Sequence, residues 1–163
     1  LKEAMDSRLN HYLFIEKEKR HISNQLRAWC RLHYSEDYKL LRSLPGIGPI
    51  VACGIITEIG DLRRFKNIRQ LSAYVGLIPG MSQSGEGGVR SRGINPRGNR
   101  LLRSYFIESA WQSVRFDPAM EEYVRKHHGK ERKAVMVKVA HKLLNRAYAV
   151  IRTQIPYQVG VVA

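Results

Sequence analysis

Ser82 and Ser84 stand in a glycine-rich stretch, Pro79 to Pro96, and five arginines lie in or just beyond it: Arg90, Arg92, Arg97, Arg100 and Arg103. Guanidinium forks match phosphate oxygens bidentately, so this composition points to a site that handles phosphate. A solvated linker needs no such density of fixed positive charge. A serine hydroxyl is a poor nucleophile until a base takes its proton and the developing charge is stabilised. The arginines answer the second need, because charge building on a phosphodiester under attack would be bound more tightly than the ground state. For the first need the sequence offers little: Glu86 is the nearest carboxylate and reads equally as loop charge. Arginines at a solvated helix N-terminus would oppose the macrodipole, so an anionic partner accounts for them better.

The whole chain repeats that preference. Its 163 residues contain 28 Lys+Arg against 14 Asp+Glu, a formal charge of +14. An excess of this size predicts a polyanionic partner, and nucleic acid comes first because phosphate contacts release counterions. No apolar run approaches the roughly 20 residues of a spanning helix, so a membrane is not expected. Cys30 and Cys53 are far apart, without metal-ligand spacing, which fits a reducing cytoplasm rather than a disulfide framework. Glu58, Asp61, Glu108, Asp117, Glu121 and Glu122 are scattered, and no metal site is expected within this chain. His127 and His128 adjoin Lys126 and Lys130, which reads as a basic nucleic-acid-facing surface or as an exposed helix end. Leu1 is not an initiator methionine, so the chain is read as part of a longer protein.

The elements that must position these groups read as all-α. Residues 1–36 form a long amphipathic helix: Met5, Tyr12, Ile15, Ile22, Leu26 and Trp29 recur at steps of three and four, with Lys19 and His33 interrupting. This stripe either packs on the chain's own domain or serves as a coiled-coil arm joining two copies. Residues 37–163 then form a small helical bundle. Its first part, about 37–61, carries Leu40, Leu41 and Leu44 into "PGIGP", after which a helix opening at Pro49 carries Val51, Ala52, Ile55 and Ile56. That pattern reads as a helix-hairpin-helix, in which the amides of Gly46 and Gly48 beside a helix N-terminus can face a phosphate. The alternative is a helical hairpin that only packs.

A short helix is expected from Ile68 to about Val75. The glycines Gly80, Gly85, Gly87, Gly88 and Gly93 predict a loop that orders on DNA. From Gly98 a helix places Leu101, Leu102, Tyr105, Phe106, Ser109, Ala110 and Ser113 inward, with Tyr105 and Trp111 in the core. Asn99 either caps that helix or touches phosphate, and the cap is favoured. A short helix from Ala119 to about His127 follows. The last, Glu131 to Thr153, buries Val135, Val139, Leu143, Leu144, Ala147 and Ile151, and turns Lys133, Lys138, Lys142 and Arg146 outward.

In this order the motifs resemble the C-terminal domain of bacterial insertion-sequence transposases of family 110, the DEDD-plus-serine type. The matching elements, over about Leu41 to Ala110, are the "LPGIGP" hairpin, "GDLRRFKNIRQLSAYVGLIP", the "SQSG" loop and "GINPRGNRLLR". The resemblance implies a serine nucleophile at Ser84, immediately before Gly85. Ser82 remains a rival, because "SQSG" stands where many relatives have "SSG". It also implies an RuvC-like domain outside these residues that carries metal-binding carboxylates and Mg²⁺, and an element-encoded RNA partner. The expected function is DNA strand cleavage and transfer in a bacterial cytoplasm. The competing reading is a non-catalytic helix-hairpin-helix module, or a dimerisation domain working through the N-terminal helix.

Overall fold

The computed structural model describes the backbone of residues 1–84, 87–94 and 98–160, with side chains outside 79–97. Pro- and Gly-free sequence carries α1 (Lys2–His33) unbroken for 32 residues. Then come α2 (Ser35–Arg42), α3 (Pro49–Ile59), a 3₁₀ turn (Leu62–Arg64), α4 (Ile68–Val75), α5 (Arg100–Phe116), α6 (Pro118–Arg125) and α7 (Arg132–Thr153). The architecture is that of an all-α bundle with a long N-terminal helix, as the periodicity predicts, apart from one short ribbon between α4 and α5.

Local chemistry sets the boundaries. Asn67 Oδ1 accepts from Gln70 N at 3.0 Å to start α4, and Asp117 Oδ1 accepts from Ala119 N at 3.0 Å to start α6. Pro49 and Pro118 open α3 and α6, where a missing N–H costs nothing. Gly76, with φ of 80°, ends α4 in the left-handed conformation, and the amides of Gly76 and Leu77 both donate to the Ser72 carbonyl.

One expectation changes between α4 and α5. The Pro79–Pro96 stretch, read as a loop, contains a two-stranded antiparallel ribbon of β1 (Pro79–Ser84) and β2 (Gly87–Ile94). Pro79 stands opposite Ile94, Met81 opposite Ser91, Ser82 opposite Arg90, and Ser84 opposite Gly87. Pairing of backbone donors and acceptors does not depend on side-chain type, so a glycine-rich segment can form a ribbon without an alternating pattern.

Helix α7 is the centre of the bundle, in contact with α2, α4, α5, α6 and the 3₁₀ turn. It buries Val135, Val139, Leu143, Leu144, Ala147 and Ile151, as expected, and also Met136, Ala140, Tyr148 and Val150. Phe106 and Leu102 meet it from α5, and Tyr105 and Trp111 pack half-buried at the edge of the same core. Leu101, expected inward, is 45% exposed: α5 sits on its neighbours through a narrower face than the sequence stripe suggested. Arg146, expected on a solvated face, turns inward to an ion pair with Asp117, which is 1% exposed. Helix α1 behaves differently. Only Cys30 is buried, and Met5, Tyr12, Ile15, Ile22 and Trp29 of the stripe remain exposed, with Leu26 half-buried.

Candidate nucleic-acid interface

The "PGIGP" turn is built against α5. Gly46 has φ of 93°, a conformation side chains rarely adopt, and a Cβ there would lie 2.3 Å from the Ser109 carbonyl oxygen and 2.7 Å from Ser113 N. The need for glycine at this position is thus met by close packing of backbone on backbone. Arg42 Nη1 donates to the Ile47 carbonyl across the turn, and Ile47 N donates to Leu44 O at 3.1 Å. Gly48 differs: a Cβ there would meet nothing within 4 Å. It is the N-cap of α3, with φ of −72° and ψ of 168°, and no side chain caps the helix there. Of the two hairpin glycines named from sequence, Gly48 is the one in open space.

At the opposite end of α5 the ribbon is tied down. A Cβ on Gly98 would sit 2.2 Å from the Gly76 Cα, so the two ends of the ribbon segment touch backbone to backbone. Asn99 N donates to the Tyr74 carbonyl at 2.8 Å, and Asn99 Oδ1 accepts from Leu102 N at 3.0 Å, which makes Asn99 the N-cap of α5. Asn99 Nδ2 donates to Glu58 Oε2 at 2.9 Å, fixing the cap to the end of α3. Tyr74 Oη donates to the Glu58 carbonyl at 3.2 Å, and Arg103 Nη1 donates to the Gly76 carbonyl at 3.3 Å. The favoured reading of Asn99 as a cap matches this geometry. Arg103 acquires a structural partner that the sequence did not suggest, because Gly76 is remote in sequence and near only in the fold.

Arg100 is exposed on the first turn of α5. Ser82, Ser84, Arg90 and Arg92 lie on the ribbon, their backbones placed by the strand register and their side chains outside the described residues. Arg97, Gly85 and Glu86 lie outside the described residues altogether. The two sets of candidate phosphate contacts occupy different ends of one helix. Gly46 packs at Ser109–Ser113, and a rise of 1.5 Å per residue puts that point roughly 14 Å along α5 from Arg100 and Arg103.

Sequence reasoning missed a further cation beside the ribbon base. The exposed Arg64 guanidinium lies 4.7 Å from the Phe65 ring centroid and 5.1 Å from that of Tyr74, the residue whose carbonyl holds Asn99. The signal was the "DLRRF" turn, in which the two arginines divide their work. Arg63 clamps Asp37 through 2.9 and 2.6 Å hydrogen bonds and reaches Asp61 at 3.1 Å, while Arg64 stacks on aromatic faces.

Two groups, buried Cys53 and half-buried Tyr157, are held protonated rather than reactive. Burial, then the neighbouring Cys30 thiol, pushes the Cys53 thiol up to about 12, which keeps it protonated. Burial first, and the hydrogen bond to Asp117 second, push the Tyr157 phenol up to about 12. Among the described residues no group of His, Cys, Asp and Glu could hold a metal ion, and no helix is long and apolar enough to cross a membrane.

Comparison with known proteins joins these features. The description of the Transposase IS116/IS110/IS902 family matches residues 38–125, the span from α2 through α6, and the chain belongs to that family. The chain is similar to the pilin gene-inverting protein of Moraxella bovis, 31% identical over 131 residues, covering 78% of this chain and 41% of that protein. It is similar to the transposase for insertion sequence element IS1111A of Coxiella burnetii, 40% identical over 76 residues, covering 47% of this chain and 21% of that protein. A third relative, the insertion element IS110 uncharacterized 43.6 kDa protein of Streptomyces coelicolor, is 26% identical over 140 residues, covering 85% of this chain and 34% of that protein. The chain therefore spans less than half the length of these relatives.

Proposed function

We propose that this chain is the DNA-binding and serine-bearing part of an insertion-sequence transposase, working in bacterial cytoplasm with an RuvC-like domain outside these residues. The observation that carries the reading is the ribbon base. Gly76, Gly98, Asn99, Arg103 and Glu58 form one hydrogen-bonded support on α3, α4 and α5, and it holds the segment bearing Ser82 and Ser84. A nucleophile on a ribbon needs such a base, because a displacement of about 1 Å at the reacting atom can cost 10²-fold in rate. In this reading Ser84 Oγ forms a bond to a DNA phosphorus, the bond to the leaving nucleoside oxygen breaks, and the serine proton passes to a base. The covalent phosphoserine retains the phosphodiester energy for rejoining strands. Arg90, Arg92, Arg97, Arg100 and Arg103 bind the phosphate oxygens, and the α3 N-terminus at Gly48 holds backbone phosphate at the far end of α5. Mg²⁺ belongs to the RuvC-like domain, and an element-encoded RNA is a further partner.

Excision by the complete protein tests the assignment. Ser84→Ala is expected to abolish excision while leaving salt-sensitive DNA binding intact; normal excision overturns it. If Ser82→Ala abolishes excision instead, the nucleophile moves by two positions. Salt-sensitive binding without any covalent adduct in the complete protein would favour the non-catalytic helix-hairpin-helix reading.

A second reading concerns assembly. The exposed stripe Met5, Tyr12, Ile15, Ile22 and Trp29 favours pairing of α1 with a second copy. Sedimentation of the chain measures it: Ile15→Ser with Ile22→Ser is expected to shift a dimer to monomer, and an unchanged mass refutes pairing through this stripe.

A further inference from the structure

The "DLRRF" turn between α3 and α4 carries a guanidinium that the fold holds in place and leaves without an acceptor. The turn itself is tied to the end of α7. Tyr148 Oη donates to the Phe65 carbonyl at 2.8 Å, and Arg152 Nη1 donates to Tyr148 Oη at 2.7 Å and to the Lys66 carbonyl at 3.4 Å. The Phe65 and Tyr74 ring centroids stand 5.4 Å apart, and the exposed Arg64 guanidinium lies over both rings. Among the described residues Arg64 has neither a hydrogen-bond acceptor nor a carboxylate partner.

The acids that border this turn are already engaged. Asp37 and Asp61 are held by Arg63, and Glu58 Oε2 accepts from Asn99 Nδ2 at 2.9 Å. What remains exposed is cationic: Arg64, Lys66 two residues on, and Arg100, which follows the Asn99 whose amide donates to the Tyr74 carbonyl at 2.8 Å. These contacts run continuously from the end of α7 to the base of the ribbon.

A guanidinium held over ring faces keeps its N–H fork for another acceptor, and the stack has already removed side-chain freedom that binding would otherwise cost. The fork matches a pair of phosphate oxygens. One cation could equally meet an isolated carboxylate, but three in sequence along a surface match the repeating charge of a nucleic-acid backbone. We propose that Arg64 is a pre-positioned clamp for the DNA backbone at the base of the ribbon, with Lys66 and Arg100 meeting neighbouring phosphates. The contact positions the duplex and reads no base. The inference rests on the proposed function for its polymer, and on the geometry for its place.

Binding of a labelled mixed-sequence DNA duplex to the complete protein, followed by fluorescence anisotropy over a salt series, tests it. Arg64→Gln is expected to weaken binding roughly fivefold to tenfold near about 0.1 M salt and to lower the salt slope by about 1, the loss of one phosphate contact. Arg64→Lys keeps the charge without the fork, and should restore part of the affinity and the slope. The control is Lys130→Gln, an exposed cation just before α7, whereas Lys66 lies against the end of that helix, roughly 30 Å away by its rise. At that separation the substitution should change affinity by less than about twofold. Equal losses at Arg64 and Lys130 mean a general charge effect and overturn the clamp. A thermal midpoint lowered by Arg64→Gln with DNA binding unchanged also overturns it, since the stack would then only brace the turn. A loss confined to an RNA duplex of the same sequence overturns it as well. In each case the proposed function stands, provided that Arg100→Gln still weakens DNA binding; a parent protein that binds no DNA overturns both.

Discussion

Helices α1 and α7 carry comparable apolar stripes and meet opposite fates. In α7 the stripe is wholly inside the bundle, with Val139, Leu143, Leu144 and Ile151 at 0–1% exposure. In α1 the same kind of stripe stands in the open, with Met5 at 64% and Ile22 at 59%. The polar faces diverge as well: Arg146 of α7 is drawn inward to a buried carboxylate, while Lys19 of α1 pairs only with Glu16, one turn away. Periodicity announces that a helix has a sticky side. It does not announce the partner.

The widest test of that contrast is the charge on α7. Arg146→Met leaves the Asp117 carboxylate buried and uncompensated, and urea unfolding should show a loss of about 3–5 kcal/mol. A loss below about 1 kcal/mol would mean that Arg146 is surface charge after all, as on α1.

Next comes the stripe itself. Leu143→Ala empties space at the bundle centre and should cost about 3 kcal/mol in the same measurement. Ile15→Ala in dilute, monomeric protein should stay within about 0.5 kcal/mol of the parent. Equal losses at the two positions would dissolve the comparison.

Smaller still is the cap that anchors the ribbon. Asn99→Ala removes the acceptor for Leu102 N and the donor to Glu58, at about 1 kcal/mol. If the proposed function holds, excision by the complete protein should fall further than this stability loss predicts, because the same cap supports the base of the ribbon. An effect on stability alone would make Asn99 a cap and nothing more.

The gentlest probe is pH. His141 on α7 meets Ser72 Oγ of α4 at 3.0 Å, and burial first, then the adjacent Lys142 charge, hold its pKa below the ordinary histidine value. The unfolded chain therefore takes the proton more readily than the folded one. Its stabilising contribution is complete above the ordinary histidine pKa and declines as pH falls through the lower folded value. His141→Gln should flatten that acid-side decline, and an unchanged profile in Tm against pH would remove His141 as its source.

The candidate site divides along the same line. Asn99 as a cap and Pro49 at a helix start were legible, because each acts on backbone within a few residues. The bond from Arg103 to Gly76 was not legible: the Gly76 acceptor stands 27 residues earlier and is brought near in the fold, where Gly76 and Gly98 meet. The Asp117–Arg146–Tyr157 cluster was invisible for a like reason, its members lying at the junction of α5 and α6, on α7 and in the segment beyond. The ribbon escaped notice because backbone pairing leaves little trace in a glycine-rich sequence.

By itself, then, the sequence determined the excess of positive charge and the family order of motifs, which are properties of composition and order, and the helices with their caps, which follow from interactions within one or two turns of chain. The tertiary structure alone decided which stripe would be core and which would be surface. It also decided that Gly46 and Gly98 serve close backbone packing at two ends of α5. Those outcomes depend on which elements approach one another, and approach is set by the shape of the whole bundle rather than by any local stretch.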